Sequence, residues 1–219
     1  PGKGAMTSLL LEKCESLTAI EIDKDLIRFL KKAYRDRKNF NLIEKDILLY
    51  DPKELVRVNK LIGNIPYNIS TPIIEWIIDN KSSFDEIFLM LQKEFGERCV
   101  AQPNTKSYGR LSIFVQCFFD VTVIREVDKS SFTPSPKVQS IFLKLIPKVS
   151  DKTPNSILLK NLSILTREAF SKRRKLITNS LKSFFTEEDL VNLGIERKSR
   201  PENLSVETYI KLAKSIQSG

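Results

Sequence analysis

The sequence predicts an α/β chain, with a mostly parallel sheet covered by helices on both faces and a small all-helical unit after it. Three observations predict it. As far as about residue 147, short apolar stretches of period two alternate with stretches of period 3.6. Pro147 to Pro154, polar and bracketed by two prolines, ends that alternation. Beyond it only the helical period recurs. The 219 residues, 41% of them hydrophobic, suffice for one sizeable core and a small second one. Domain limits follow at residues 1–148 and 155–219.

Taken in order, Leu17 to Ile22 reads as a strand that runs into Glu21-Ile22-Asp23. Asp25 is the expected cap of a helix through Leu26, Phe29, Leu30 and Ala33. Phe40 to Ile43 is a second strand with Asp46 just past its end, and Asp51-Pro52 opens a short helical turn. Lys60 to Gly63 leads into Asn64-Ile65-Pro66-Tyr67. Ser70-Thr71-Pro72 then starts a helix carrying Ile73, Ile74, Trp76, Ile77 and Ile78. Phe84 to Leu91 is a buried strand, Glu94 to Ala101 a helix, and Leu111 to Phe118 a helix whose apolar run also suits a strand. Val121 to Val127 and Val138 to Leu145 alternate as strands and form an antiparallel edge, joined by a stiff loop at Phe132-Thr133-Pro134-Ser135-Pro136. In the last third, Leu158, Leu162, Leu165, Ala169, Leu176 and Phe184 predict one amphipathic helix from about Ser156 to Phe184. Shorter helices are expected at Glu187 to Leu190 and Val206 to Ile216. The pattern is Rossmann-like. A sheet of this kind usually opens on a strand, so one is expected ahead of Pro1.

Composition narrows the chemistry. The chain has no histidine, which excludes Ser-His-Asp and Cys-His catalysis and a histidine metal centre. Cys14, Cys99 and Cys117 are far apart and lack metal-ligand spacing, so reduced thiols and no metal are expected. No apolar run nears the ~20 residues needed to cross a bilayer, and no signal peptide is evident, so a soluble cytoplasmic protein is expected. The net charge of +9 favours a polyanionic partner. From Asp151 onward there are 13 Lys and Arg against 8 Asp and Glu, so basic charge is densest there.

Gly2 and Gly4 place pliant backbone before a helix N-terminus, where free amides suit a polar ligand. Glu21 follows Gly4 by seventeen positions, near the ~20-residue offset at which nucleotide-binding folds place a ribose-binding acid. Asp46 stands at the same edge one strand later. It is placed either to accept a hydrogen bond from an adenine amine or simply to cap a turn, and Ile22 and Ile47 are placed to pack on the adenine faces. Together these residues predict an adenosyl pocket.

Asn64-Ile65-Pro66-Tyr67 is the strongest local signal. An aromatic amine is a poor nucleophile because its lone pair is delocalised into the ring. Two acceptors on the amine favour the pyramidal form that attacks: the Asn64 side-chain oxygen and the Ile65 or Pro66 carbonyl, held outward by the fixed φ of proline. The methylated amine then loses a proton to water, so no histidine is required. Tyr67 offers a ring on which the base stacks, worth roughly 1–3 kcal/mol. Phe132 is placed to close the other side, with Lys137 near a phosphate. Extrusion of the base favours an adenine in an unpaired region. Lys172, Arg173, Arg174 and Lys175, with Arg167 before them and Lys182 after, are four consecutive cations and their neighbours on the predicted helix, and they suit nucleic-acid phosphates. Arg197-Lys198-Ser199-Arg200 forms a second cluster.

The chain resembles the ribosomal RNA adenine dimethyltransferases, and within them the bacterial small-subunit enzymes. The motifs that carry the resemblance are Pro1 to Thr7, Glu21-Ile22-Asp23, Asp46-Ile47, Gly63 to Ser70, Tyr108-Gly109-Arg110-Leu111-Ser112, Phe132 to Val138 and Ala169 to Lys175. The resemblance implies a Rossmann-like class I methyltransferase sheet with a small all-helical C-terminal domain that docks on the ribosome. It implies S-adenosylmethionine as cofactor, contacted at Gly2, Gly4, Glu21, Asp46 and Asn64, and a target base held by Tyr67 and Phe132. The implied reaction is double methylation of two adjacent adenines near the 3′ end of small-subunit ribosomal RNA in the immature subunit, by a monomer. The family also has a leading segment with a first strand and part of the cofactor site. Three alternatives remain: a large-subunit enzyme of the macrolide-resistance type, a DNA adenine methyltransferase, and a ribosome-assembly factor without activity.

Overall fold

The computed structural model describes residues 1–55, 59–132, 137–148 and 156–216. The proline loop at 133–136 and most of the predicted domain boundary lie outside the described residues. Helix α1 (Ala5–Leu11) precedes strand β1 (Leu17–Glu21), helix α2 (Lys24–Ala33) and strand β2 (Phe40–Glu44). The cap of α2 is Asp23 rather than Asp25. Its carboxylate accepts from the amides of Asp25 (2.8 Å) and Leu26 (3.0 Å). Asp23 has the extended backbone a cap requires, whereas Asp25 already lies in the first turn, where its charge complements the helix dipole.

Strands β3 (Lys60–Asn64) and β4 (Glu86–Gln92) flank α3 (Ser70–Asp79), and helices α4 (Lys93–Val100) and α5 (Arg110–Phe118) lead to β5 (Phe119–Val127) and β6 (Ser140–Pro147). Among the described residues the expected single, mostly parallel sheet is two sheets. One is the parallel pair β1–β2 and the other has the order β3-β4-β6-β5, in which β3–β4 is parallel and β6 runs antiparallel to both neighbours. The last strand therefore inserts beside β4 and leaves β5 at the edge. Burial explains the order: Ile141, Leu143 and Leu145 of β6 are buried like their partners Leu91, Leu89 and Ile87 on β4, whereas Val123 and Ile124 of β5 remain exposed. Across β4, Glu86 is clamped between Lys60 of β3 (2.8 Å) and Lys144 of β6. Hydrogen bonds from Lys144 and Lys60 draw its carboxyl pKa down to about 2.

Both sheets share one core. Ile73, Ile74, Ile77 and Ile78 of α3 pack with the β4 and β6 residues, and Ile20, Ile43 and Ile47 from the β1–β2 side join them. Trp76 donates its indole N–H to the Tyr50 carbonyl (2.9 Å), fixing the segment after β2 to α3.

After residue 155 the structure corrects the predicted long helix. Helix α6 (Ser156–Ser171) stops, residues 172–175 turn, and short helices follow: α7 (Ile177–Ser180), α8 (Glu187–Asn192) and α9 (Val206–Ser215). Buried Leu162, Leu165 and Ala169 form the inner stripe of α6, and its continuation at i+3 and i+4 would be Lys172 and Arg173. Charges at those positions cannot enter an apolar core. The chain turns instead, and Ile177 and Leu181 become buried. The Ile177 amide donates to the Ser199 carbonyl (2.8 Å), which anchors the new direction.

The helical core also takes in residues from before the boundary. Ala101, Tyr108 and Ile113 are buried in it, and the Tyr108 hydroxyl donates to the Leu204 carbonyl (2.9 Å). Helix α5 lies between the cores, with Val115 and Phe118 in the first and Ile113 in the second.

Candidate active site

The glycine loop and the first carboxylate meet directly. Gly2 (φ 60°) and Gly4 (φ 82°) both adopt left-handed backbone. The Gly2 amide donates to Glu21 Oε2 (3.3 Å), while Glu21 Oε1 accepts from the amides of Ile22 (3.0 Å) and Asp23 (3.1 Å). Two donors fill Oε1, whereas Oε2 accepts from one amide and retains capacity for one more donor, such as a ribose hydroxyl. A residue the sequence did not single out holds this loop. The Tyr34 hydroxyl donates to the Gly4 carbonyl (3.0 Å), and a Cβ on Gly4 would collide with that hydroxyl. Only the neighbouring aromatic at Phe40, on which Tyr34 packs, hinted at a fixed ring there.

Asp46 stands two residues past β2, beside Glu21, because the Lys45 amide donates to the Glu21 carbonyl (3.1 Å). Its Oδ1 caps the 3₁₀ turn Ile47–Leu49 through the Leu48 amide (2.9 Å). The two isoleucines differ: Ile22 is 64% exposed, whereas Ile47 packs into the shared core. Ile22 is thus the one free to cover a flat ring.

Asn64 ends β3 with its side chain exposed and without a hydrogen bond among the described residues. The Ile65 amide is fixed by the Met90 carbonyl (3.0 Å), and the Pro66 carbonyl is occupied by the Ile69 amide (3.0 Å) in the 3₁₀ turn Tyr67–Ile69. No donor among the described residues reaches the Ile65 carbonyl, so of the two backbone acceptors the sequence left open, Ile65 is the wholly unengaged one, whereas Pro66 keeps one lone pair. Tyr67 is 36% exposed, and its hydroxyl shares a hydrogen bond with the Ser140 hydroxyl (3.0 Å). Helix α3, which begins where this tetrapeptide turn ends, packs against the turn Ile47–Leu49 and so ties the two strand ends together.

Phe132 is half-buried after the 3₁₀ turn Lys129–Ser131, which Asp128 caps. Val127 and Ser140 are register partners, so the loop bearing Phe132 leaves and re-enters the sheet at the end where Ser140 meets Tyr67. Lys137 is exposed on the returning arm.

The basic cluster does not behave as one unit. Arg167 is exposed on α6, and Lys172 pairs with Glu168 (2.9 Å). Arg173 is a strut: its Nε binds Glu202 (2.6 Å) and its Nη2 the Thr105 carbonyl (3.2 Å). Arg174 and Lys175 are exposed and have no ion pair among the described residues. An open notch of about 470 Å³ lies elsewhere, against Val191, Gly194, Ile195 and Arg197, away from the strand ends. Burial pushes the Cys99 thiol up to about 12 and Cys117 up to about 11, so neither is a thiolate nucleophile near neutral pH.

With this geometry in view, comparison with known proteins converges on one family. A family model described as ribosomal RNA adenine dimethylase matches residues 1–218. Proteins named ribosomal RNA small subunit methyltransferase A are 38% identical in Coxiella burnetii, over 97% of this chain and 83% of the relative, and 40% identical in Legionella pneumophila, over 100% and 85%. A crystal structure of a dimethyladenosine transferase from Plasmodium falciparum superposes with a TM-score of 0.80 at 29% identity, covering 96% of this chain and 85% of that one. That of the 23S rRNA methyltransferase ErmE, at 22% identity and a TM-score of 0.74, over 99% and 88%, shares the fold. The chain belongs to the ribosomal RNA adenine dimethylase family, as a Rossmann-like class I methyltransferase of the kind named ribosomal RNA small subunit methyltransferase A.

Proposed function

We propose that this enzyme transfers methyl groups from S-adenosylmethionine to the exocyclic amines of two adjacent adenines in small-subunit (16S) ribosomal RNA. It acts as a cytoplasmic monomer on the immature subunit. The observation that carries the reading is the exposed, unengaged Asn64 amide at the end of β3, with an open Ile65 carbonyl next to it and the Tyr67 ring three residues on. The names of the relatives favour the small subunit.

The residues present suit an adenosyl group. Gly2 and Gly4 supply close backbone, the remaining acceptor of Glu21 suits a ribose hydroxyl, and exposed Ile22 covers the ring. Asp46 meets the adenine amine through the oxygen not used in capping, with Ile47 behind it. S-adenosylmethionine supplies an electrophilic methyl group. Asn64 Oδ1 and the Ile65 carbonyl each accept an N–H of the target amine, which draws nitrogen toward the pyramidal geometry that attacks. Pro66 fixes the backbone that presents these acceptors. Asn64 is neutral, so it forms no ion pair with the sulfonium. Tyr67 stacks on the extruded base and Phe132 faces it from the loop. Water takes the proton released after transfer.

Residues 155–219 serve as a docking unit in this reading. Lys137, Arg167, Lys172, Arg174 and Lys175 meet phosphates, while Arg173 holds the turn. The test supplies labelled cofactor with immature small subunits, large-subunit RNA and duplex DNA, and maps the label. Label on two adjacent small-subunit adenines is expected; label on DNA or large-subunit RNA alone overturns the reading. Asn64→Ala should lower turnover about a hundredfold or more, the scale of losing one positioned polar group at a reacting centre, while cofactor still binds. Undiminished turnover would remove Asn64 from the mechanism.

A further inference from the structure

Ser140 is a buried polar residue, 1% exposed, at the start of β6. It sits opposite Gln92 of β4 and Val127 of β5, so three strands converge on it. Its hydroxyl shares one hydrogen bond with the Tyr67 hydroxyl, 73 positions away in sequence (3.0 Å). A buried hydroxyl without a partner is unfavourable, so this bond resists any displacement of the tyrosine.

The neighbours of Ser140 are held by backbone and side-chain bonds. Gln139 is pinned by the Lys93 amide, which donates to its carbonyl (2.9 Å), and Lys93 Nζ pairs with Glu126 of β5 (2.7 Å). Ser140 is also where the loop bearing Phe132 returns to the sheet. One residue thus joins the tyrosine on one side of the strand ends to the return of the phenylalanine loop on the other.

We propose that Ser140 is a positioning residue for methyl transfer, fixing the direction of the Tyr67 ring from the start of β6. The inference rests on the reading of Tyr67 as the base-stacking platform. The phenolic oxygen lies on the axis of the ring. Anchoring it sets where the ring points, yet leaves the plane free to rotate until a base stacks. An aromatic platform set in advance loses less freedom when the base arrives.

The test compares Ser140→Ala, Tyr67→Phe, the double variant, Ser140→Thr and Tyr67→Ala in the whole protein. Loss of one hydrogen bond predicts a fall in kcat of about three- to tenfold for Ser140→Ala and for Tyr67→Phe. KM for RNA and cofactor affinity should stay close to wild type, because docking rests on the basic residues. Each single variant removes the same bond, so the double should be no worse than either, and Ser140→Thr, which keeps the hydroxyl, should recover most of the loss. Losses that multiply in the double variant, or wild-type kcat in Ser140→Ala beside an impaired Tyr67→Ala, overturn the proposal. Undiminished turnover in Tyr67→Ala would instead remove the stacking platform, and this inference with it.

Discussion

Gly4 combines two constraints that no other side chain satisfies. Its φ of 82° lies in the left-handed region, and the Tyr34 hydroxyl occupies the place where a Cβ would project. Gly4→Ala should therefore strain the backbone by ~1–2 kcal/mol and push Tyr34 off the Gly4 carbonyl. A lower Tm and weaker cofactor affinity, read by thermal denaturation and calorimetry, are the expected outcome. Wild-type affinity would show that the loop geometry does not shape the pocket. Tyr34→Phe offers the milder comparison, since it removes only the hydrogen bond. At this scale the sequence was informative wherever chemistry depends on residue type and spacing. Asn64, Pro66 and Tyr67 were singled out because the proposed chemistry needs two acceptors on an amine and a stacking ring. Tyr34 and Ser140 were not, because each acts through a partner 30 or 73 positions away, and no local pattern registers such a pair.

Elements were legible where periodicity and burial agree. Strand β4, read from its continuous apolar run as a buried strand, is covered on both faces and most deeply at alternate positions, and α3 buries the isoleucines that announced it. The predicted helix from Ser156 to Phe184 failed because Leu176 and Phe184 kept the spacing across a gap that Lys172 and Arg173 could not fill. A turn consequently divides the cations into struts and free charges. Arg173 joins Glu202 to the Thr105 carbonyl, and Lys172 is paired with Glu168, whereas Arg174 and Lys175 are unpaired among the described residues. Arg173→Ala should lower Tm by freeing the 172–175 turn from the loop ahead of α5. Arg174→Ala combined with Lys175→Ala should leave Tm unchanged and weaken RNA binding, with the slope of log affinity against log salt flattened by about 0.7–0.9 per lost phosphate contact. An unchanged salt slope in that double variant would make the pair an ordinary solvated face. Unchanged Tm in Arg173→Ala would remove its role as a strut.

Across the whole molecule, a change of period near Pro147 to Pro154 is what suggests a division there, but the packing that crosses that point has no counterpart in the sequence pattern. The helical core closes only with Ala101, Tyr108 and Ile113, which precede the boundary by more than thirty residues. Helix α5 presents Ile113 to one core and Val115 and Phe118 to the other, a double role that its apolar run masked as helix-or-strand ambiguity. Ile113→Ala tests the coupling. Truncating a fully buried isoleucine should destabilise by ~2–5 kcal/mol. The single tryptophan, Trp76, reports on the first core from α3, and far-UV dichroism reports mainly on the helices, many of them in the second part. If α5 makes the cores cooperative, denaturant midpoints from the two probes should fall together and stay coincident. A helical midpoint that falls while Trp76 fluorescence holds its wild-type midpoint would mean that the two parts unfold independently. The alignment between target-base site and docking surface would then depend on the linker alone. Coincident midpoints would instead make α5 the element through which the two cores unfold as one unit.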